Sequence, residues 1–157
     1  MDRRVFLSGL ALAAPITLLV APAAGAQQGF DLVTGTEFAS RKERGPTRSL
    51  TQLKADGPQV RVYSPKGTKL TSPVDFDLEF VPRDGVPPMM GSIRLDYDMG
   101  LFWKDVTSRL MKYASVEGNR LRCRGARLPP GRHILRLRII DKKRRTTVTR
   151  LEITVAG

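Results

Sequence analysis

The stretch that decides the fold runs from residue 128 to residue 141 and is LPPGRHILRLRIID. Its Pro-Pro-Gly run favours a turn, because proline presets the backbone φ and glycine tolerates a positive φ. In the residues that follow, apolar side chains alternate with arginines: Leu135, Leu137 and Ile139 with Arg136 and Arg138. Strict alternation places one set on a core face and the other in water. The stretch predicts a tight corner followed by a half-buried strand.

The same alternation recurs along the chain from residue 59 onward. It is present in five further stretches: 60–62, 74–80, 93–98, 120–124 and 151–155. Segments containing glycine or proline separate them, as turns separate strands. Several strands at this spacing, without crossover helices, indicate an antiparallel sandwich or barrel.

One segment, Trp103–Tyr113, departs from this pattern. It carries Val106, Leu110 and Tyr113 at helical spacing, and Asp105 is available as an N-cap. We therefore predict one short helical link between strands.

The corner motif Leu128-Pro129-Pro130-Gly131-Arg132-His133 resembles one found in immunoglobulin-like and fibronectin type III-like domains of exported bacterial proteins. Those domains often carry Leu-Pro-x-Gly-x-Tyr before their sixth strand. The resemblance covers roughly Pro58 to Val155. It implies an all-β, immunoglobulin-like antiparallel β-sandwich of about seven strands, with Leu128, Gly131 and His133 as the structural corner. Such folds serve adhesion, carbohydrate binding, chaperoning and structural roles, so the resemblance transfers no function.

The first 26 residues have the composition of a signal peptide, and the layout is similar to that of small exported proteins of proteobacteria. The export motif consists of Arg3, Arg4, Phe6 and Leu7 and resembles the twin-arginine type. An apolar stretch follows that is too short to span a bilayer comfortably. Ala24 and Ala26 supply the small residues of a cleavage site. We therefore expect a periplasmic or secreted protein without a transmembrane segment after cleavage.

Residues 27–57 lack a sustained period and contain the breakers Gly45-Pro46 and Gly57-Pro58. Their apolar residues could dock one short segment on the domain: Phe30, Leu32, Val33 and Phe38. We expect residues 27–57 to form a mostly flexible arm and residues 58–157 to form the sandwich domain.

The positive charge is concentrated in the last third of the chain. From Arg109 onward there are 14 basic residues and three acidic ones. We expect much of this charge to be neutralised across strands, with the row Asp75, Asp77 and Glu79 facing the row Arg120, Arg122 and Arg124. Similarly, we expect Asp96 and Asp98 to face Arg136 and Arg138. Such cross-strand pairs also help to select the register.

Six basic residues remain without a predicted partner: Arg127, Arg132, Lys142, Lys143, Arg144 and Arg145. They are candidate contacts for an acidic protein, an anionic lipid or a glycan of the envelope, although we favour a solvated turn for the run at 142–145. Nucleic acid is not an expected partner of an exported protein.

Two single residues have structural explanations that we favour over chemical ones. His133 is the only histidine, and its ring N–H can hold the corner by donating to a backbone carbonyl. Cys123 alternates inward with Leu121, which predicts a buried thiol. A free thiol of an exported protein could instead pair with another chain.

No Ser/His/Asp, Cys/His or paired-carboxylate arrangement supports catalysis. We therefore expect a non-enzymatic immunoglobulin-like module that binds or scaffolds an envelope partner and carries no cofactor. The alternatives are an accessory subunit of an exported enzyme and a small periplasmic copper-handling protein. The candidate ligands for copper are Met89, Met90 and Met99, but no histidine lies near them in sequence.

Overall fold

A computed structural model describes residues 29–41, 54–67 and 69–157. These residues form two five-stranded sheets packed face to face, which confirms the all-β sandwich. The strands are β1 Phe30–Asp31, β2 Lys54–Ala55, β3 Gln59–Ser64, β4 Val74–Val81, β5 Arg94–Asp98, β6 Trp103–Asp105, β7 Ala114–Glu117, β8 Arg120–Arg127, β9 Gly131–Ile140 and β10 Thr146–Val155. The helices are α1 Gly35–Ser40, a 3-10 turn Met90–Ser92 and α2 Thr107–Tyr113.

Sheet 1 has the order β1-β8-β4-β3, with β7 also paired to β8, and sheet 2 has the order β2-β10-β9-β5-β6. The described strands exceed the seven expected because β1, β2, β6 and β7 add short segments of two to four residues. The six longer strands are those that alternation predicted. In sheet 1, β4 and β8 are antiparallel neighbours, as the facing rows of charge predicted.

The core lies between the sheets and is built from the inward residues of every long strand. Its largest fully buried side chains include Phe76, Leu78 and Phe80 of β4, Tyr97 of β5, Leu121 of β8, and Leu135, Leu137 and Ile139 of β9. Because side chains alternate along a strand, the intervening charged residues point away from the core. Each sheet therefore presents one charged outer face.

The helical link is shorter than its sequence spacing suggested. Trp103–Asp105 is a strand that pairs with β5, and only Thr107–Tyr113 is helical. Val106 and Leu110 are fully buried beneath it. Asp105 accepts a hydrogen bond from the Thr107 N–H at 2.8 Å, one position before the geometric N-cap.

Residues 29–41 belong to the sandwich and not to a flexible arm. β1 runs parallel to β8, and Phe30, Leu32 and Val33 are buried in the core. Thr34 and Glu37 form a capping box that starts α1. Burial of these apolar side chains offsets the entropy lost on ordering the segment. The leader, residues 27–28 and residues 42–53 lie outside the described residues, so the extent of the arm stays a prediction.

No helix within the described ranges is long and apolar enough to cross a membrane.

Candidate functional site

The corner before β9 is organised around His133, which is completely buried. Its Nε2 lies 2.7 Å from the Pro129 carbonyl oxygen, and a carbonyl can only accept, so Nε2 carries the proton. Nδ1 is therefore free to accept from the Tyr97 hydroxyl at 3.2 Å. Burial lowers the pKa of His133, because the charged form loses its hydration. This neutral imidazole does what the sequence analysis assigned to it and holds the turn.

The other two corner residues have equally local roles. Leu128 is buried, and Gly131 has φ +128°, a conformation that favours glycine. A Cβ at position 131 would also overlap the Phe38 ring, which lies 4.9 Å from the His133 ring between centroids. The corner thus packs directly against α1, and it serves the fold.

The predicted pairing on the outer face of sheet 1 is confirmed for Asp77. Its carboxylate accepts two hydrogen bonds from Arg120, at 2.6 and 2.7 Å, and lies 3.9 Å from Arg122. The bidentate contact lowers the pKa of Asp77.

The rest of that row pairs differently from the prediction. Asp75 accepts from the Gly125 N–H at 2.9 Å, because a register shift between Val74 and Phe76 moves it away from Arg124. Glu79 accepts from the Tyr63 hydroxyl and lies 3.7 Å from Arg61 on β3. This face is therefore largely neutralised by its own acidic residues.

On sheet 2, one of the two predicted pairs forms. Arg136 donates to Asp96 at 2.8 Å and stacks over the Trp103 ring at 4.3 Å. The expectation for Asp98 is wrong, because it pairs with neither Arg136 nor Arg138. Asp98 instead accepts from the Gly100 N–H at 2.7 Å, because it begins the β5–β6 turn.

Three of the six basic residues expected to lack partners are paired in the structure. Arg127 lies 3.0 Å from Asp31, and Arg132 lies 2.6 Å from Glu152. Arg145 bridges two carboxylates, those of Asp141 and Asp84, at 2.7 Å each. The remaining three, Lys142, Lys143 and Arg144, are exposed at the β9–β10 turn and form no ion pair within the described ranges.

Several arginines form no ion pair with a described carboxylate, and two of them, Arg138 and Arg150, share the outer face of sheet 2 with Arg94 and Arg136. Arg138 is directly opposite Arg94, and Arg136 is directly opposite Arg150. We call these four residues the arginine face. Arg94 pairs with Asp105 at 3.5 Å and Arg136 pairs with Asp96, whereas Arg138 and Arg150 form no ion pair with any described carboxylate. The Nε of Arg150 is buried without a hydrogen-bond partner.

This arrangement suits an anion. Neighbouring side chains on adjacent strands have Cβ atoms about 5 Å apart, and diagonal neighbours about 7–8 Å apart. Arg138 and Arg150 are diagonal neighbours across β9 and β10, so two guanidinium groups can reach one phosphate, sulfate or carboxylate group. Arg150 was not among the residues predicted from the sequence, although its position between Thr149 and Leu151 in an alternating strand was the available signal.

A second feature that sequence analysis missed is the turn between β5 and β6, residues 99–102, here called the hairpin tip. Leu101 is 73% exposed and Phe102 is 57% exposed. The Met99 N–H donates to the Phe102 carbonyl at 3.0 Å, which closes the turn. The signal in the sequence was the pair of large apolar residues, Leu101 and Phe102, directly after Gly100.

The methionines proposed for copper do not form one site. Met90 precedes β5 and Met99 follows it, and five strand residues separate them by roughly 16 Å. Met99 is buried in the core, whereas Met89 is 44% exposed. Within the described ranges, no cluster of three His, Cys, Asp or Glu residues could hold a metal ion.

Cys123 is buried and unpaired within the described part of the chain. Burial raises the pKa of its thiol to about 11. Its Sγ lies 3.7 Å from the Leu110 carbonyl oxygen. A protonated thiol in this position is a packing residue.

No family model matches the chain, and no curated protein matches it either. Among solved structures, it is similar to CopC from Methylosinus trichosporium OB3b, with 14% sequence identity and a TM-score of 0.43. The match covers 63% of this chain and 93% of CopC. Neither the sequence identity nor the TM-score is high enough to transfer a ligand or an activity to this chain.

Proposed function

We propose that this protein is a non-enzymatic module of the bacterial cell envelope, periplasmic or secreted, that binds an anionic partner through the arginine face. The observation that carries the proposal is the placement of Arg138 and Arg150. They lie on adjacent strands with no ion pair to a described carboxylate, while most carboxylates of both outer faces are already occupied. The leader motif at Arg3 and Arg4 supports the location in the envelope.

The partner's recognised groups would be phosphates, sulfates or clustered carboxylates. Guanidinium groups bind such anions in a planar, bidentate geometry that ammonium groups do not offer. The outer face of sheet 2 presents four guanidinium groups, whereas the exposed run Lys142-Lys143-Arg144 presents mainly ammonium groups. This difference favours the sheet over the turn as the specific contact.

The test is binding of the exported protein to a sulfated polysaccharide resin and to free polyphosphate. R138Q/R150Q should bind at least about tenfold more weakly, because hydrogen bonds to charged groups contribute about 1.5–3 kcal/mol each. The matched control is K66Q/R124Q, which removes the same charge from exposed positions elsewhere. A third variant, K142Q/K143Q/R144Q, tests the turn. Equal losses in all three variants would show that net charge alone governs binding and would overturn the proposal.

A further inference from the structure

The hairpin tip is the most apolar exposed feature of the described structure. Leu101 and Phe102 are the two most exposed large hydrophobic side chains, at 73% and 57%. Turns usually carry glycine, proline or short polar residues. Two large apolar side chains at such a position keep an unfavourable contact with water, which burial against another apolar phase would remove.

The tip is held in place by its own turn. Gly100 has φ +87°, and its N–H donates to Asp98 at 2.7 Å. The Met99 N–H donates to the Phe102 carbonyl at 3.0 Å. Because the backbone is fixed by these bonds, Leu101 and Phe102 project from the sandwich without a large cost in chain entropy on binding.

Behind the tip, the side chains change from apolar to aromatic to cationic. Trp103 lies directly opposite Asp98 on the outer face of sheet 2, with Arg136 stacked on its ring. Arg136 lies level with Asp105, three residues from Phe102, which corresponds to roughly 10 Å along the strand. Arg150 lies directly beside Arg136.

This order matches the depth profile of a bilayer surface. Apolar residues of peripheral proteins enter about 5–10 Å into the boundary between headgroups and acyl chains. Tryptophan favours the interface itself, and arginine favours anionic headgroups. A polyanionic glycan would offer anions but nothing apolar for Leu101 and Phe102.

The carboxylates near the tip are already engaged. Asp105 is paired with Arg94, Glu152 is paired with Arg132, and Asp98 is buried. They therefore oppose an anionic surface less than free carboxylates would.

We propose that the hairpin tip inserts Leu101 and Phe102 into an anionic phospholipid bilayer while the arginine face contacts the headgroups. This inference rests on the proposed function and names its partner as a lipid surface. The arginine face and the hairpin tip contribute separately to membrane binding, so substitutions can remove one contribution while the other remains.

Trp103 is the only tryptophan of the chain, so its fluorescence reports directly on the tip. The exported protein is mixed with two kinds of vesicle. One contains phosphatidylcholine alone, and the other contains phosphatidylcholine with about 30 mol% of the anionic lipid phosphatidylglycerol. Wild type should co-sediment with the anionic vesicles and show a blue-shifted emission. L101S/F102S should lose the blue shift and bind the anionic vesicles at least about tenfold more weakly, while binding the sulfated resin like wild type.

The outcomes separate the two proposals. If wild type binds the resin but not the vesicles, or if L101S/F102S binds vesicles and shifts its emission like wild type, the lipid inference is wrong and the anionic site stands. If R138Q/R150Q binds resin and vesicles like wild type, the arginine face is not the site and both proposals fail. Far-ultraviolet circular dichroism and urea unfolding verify that each variant is folded.

Discussion

Arg136 on β9 lies directly opposite Arg150 on β10, and both side chains point away from the core. Like charges in this arrangement destabilise a sheet. Arg138 and Arg94 repeat the arrangement one step further along β9. On sheet 1, in contrast, Arg120 and Arg122 of β8 both lie within ion-pair distance of Asp77 on β4. The cost is confined to the face that we propose as the binding site, a distribution typical of functional surfaces.

The first prediction concerns this repulsion. R138Q and R150Q should each raise the free energy of unfolding by about 0.2–1 kcal/mol at low ionic strength. This gain in the free energy of unfolding should shrink in about 0.5 M salt, because salt screens exposed charges. Urea unfolding at both ionic strengths measures it. The control is R124Q, which removes an exposed arginine that no other arginine opposes directly and should leave stability unchanged. A loss of stability in R138Q and R150Q would contradict the prediction.

The second prediction concerns Glu37 of α1. Its carboxylate accepts from the Arg109 guanidinium at 2.7 and 2.8 Å, and it also pairs with Lys104. The hydrogen bonds from Arg109 hold the pKa of Glu37 well below its ordinary value of 4.5. E37Q should lower the free energy of unfolding by about 1–2 kcal/mol, since both cations are partly exposed.

The pH dependence of this effect has a definite sign. A carboxyl group whose pKa is lower in the folded state than in the unfolded state stabilises the fold at pH values above its unfolded-state pKa. This stabilisation is lost as the pH falls towards and through its folded-state pKa. The difference between wild type and E37Q should therefore be constant above about pH 5.5 and shrink below 4.5. The matched control is E117Q at an exposed position, 72% accessible, which should change little. A difference that stays constant down to acidic pH would show that Glu37 acts through packing alone.

The third prediction concerns His133. Its pKa is lowered by burial from an ordinary value of 6.5. The unfolded chain therefore binds the proton first, and wild-type stability should fall as pH drops below 6.5, by at most about 1.4 kcal/mol per pH unit. H133Q keeps an N–H donor for the Pro129 carbonyl but cannot titrate. It should be less stable at neutral pH and should lack this slope between about pH 5 and 6.5; an unchanged slope would refute the assignment.

The fourth prediction concerns Cys123. With a buried thiol whose pKa is raised to about 11, a disulfide reagent should label the native protein only as fast as the molecule opens. In concentrated urea, labelling should be complete at once. Non-reducing electrophoresis of the purified protein should show a monomer. Rapid labelling of the native protein or a thiol-sensitive dimer band would contradict burial.

Several features of this protein were accessible from the sequence alone. Alternation identified β4, β5, β8, β9 and β10 and assigned Phe76 and Leu137 to the core, because the period of two is a local property of an extended backbone. The corner was equally local, since the His133 ring reaches Pro129 only four residues away. The pairs of Asp77 with Arg120 and of Asp96 with Arg136 followed once the strand neighbours were assumed.

The remaining charges were decided by tertiary structure. Arg145 reaches Asp84, 61 residues away in sequence, and a register shift in β4 separates Asp75 from Arg124. The register of β5 and β9 places Arg138 opposite Arg94, while Asp98 accepts a hydrogen bond within the turn that follows β5. Alternation determines which face a side chain occupies, but its partner depends on register, bulges and turns that distant residues set together. For this reason the sequence predicted a basic sandwich, and only the folded chain showed which of its arginines form no ion pair with a described carboxylate.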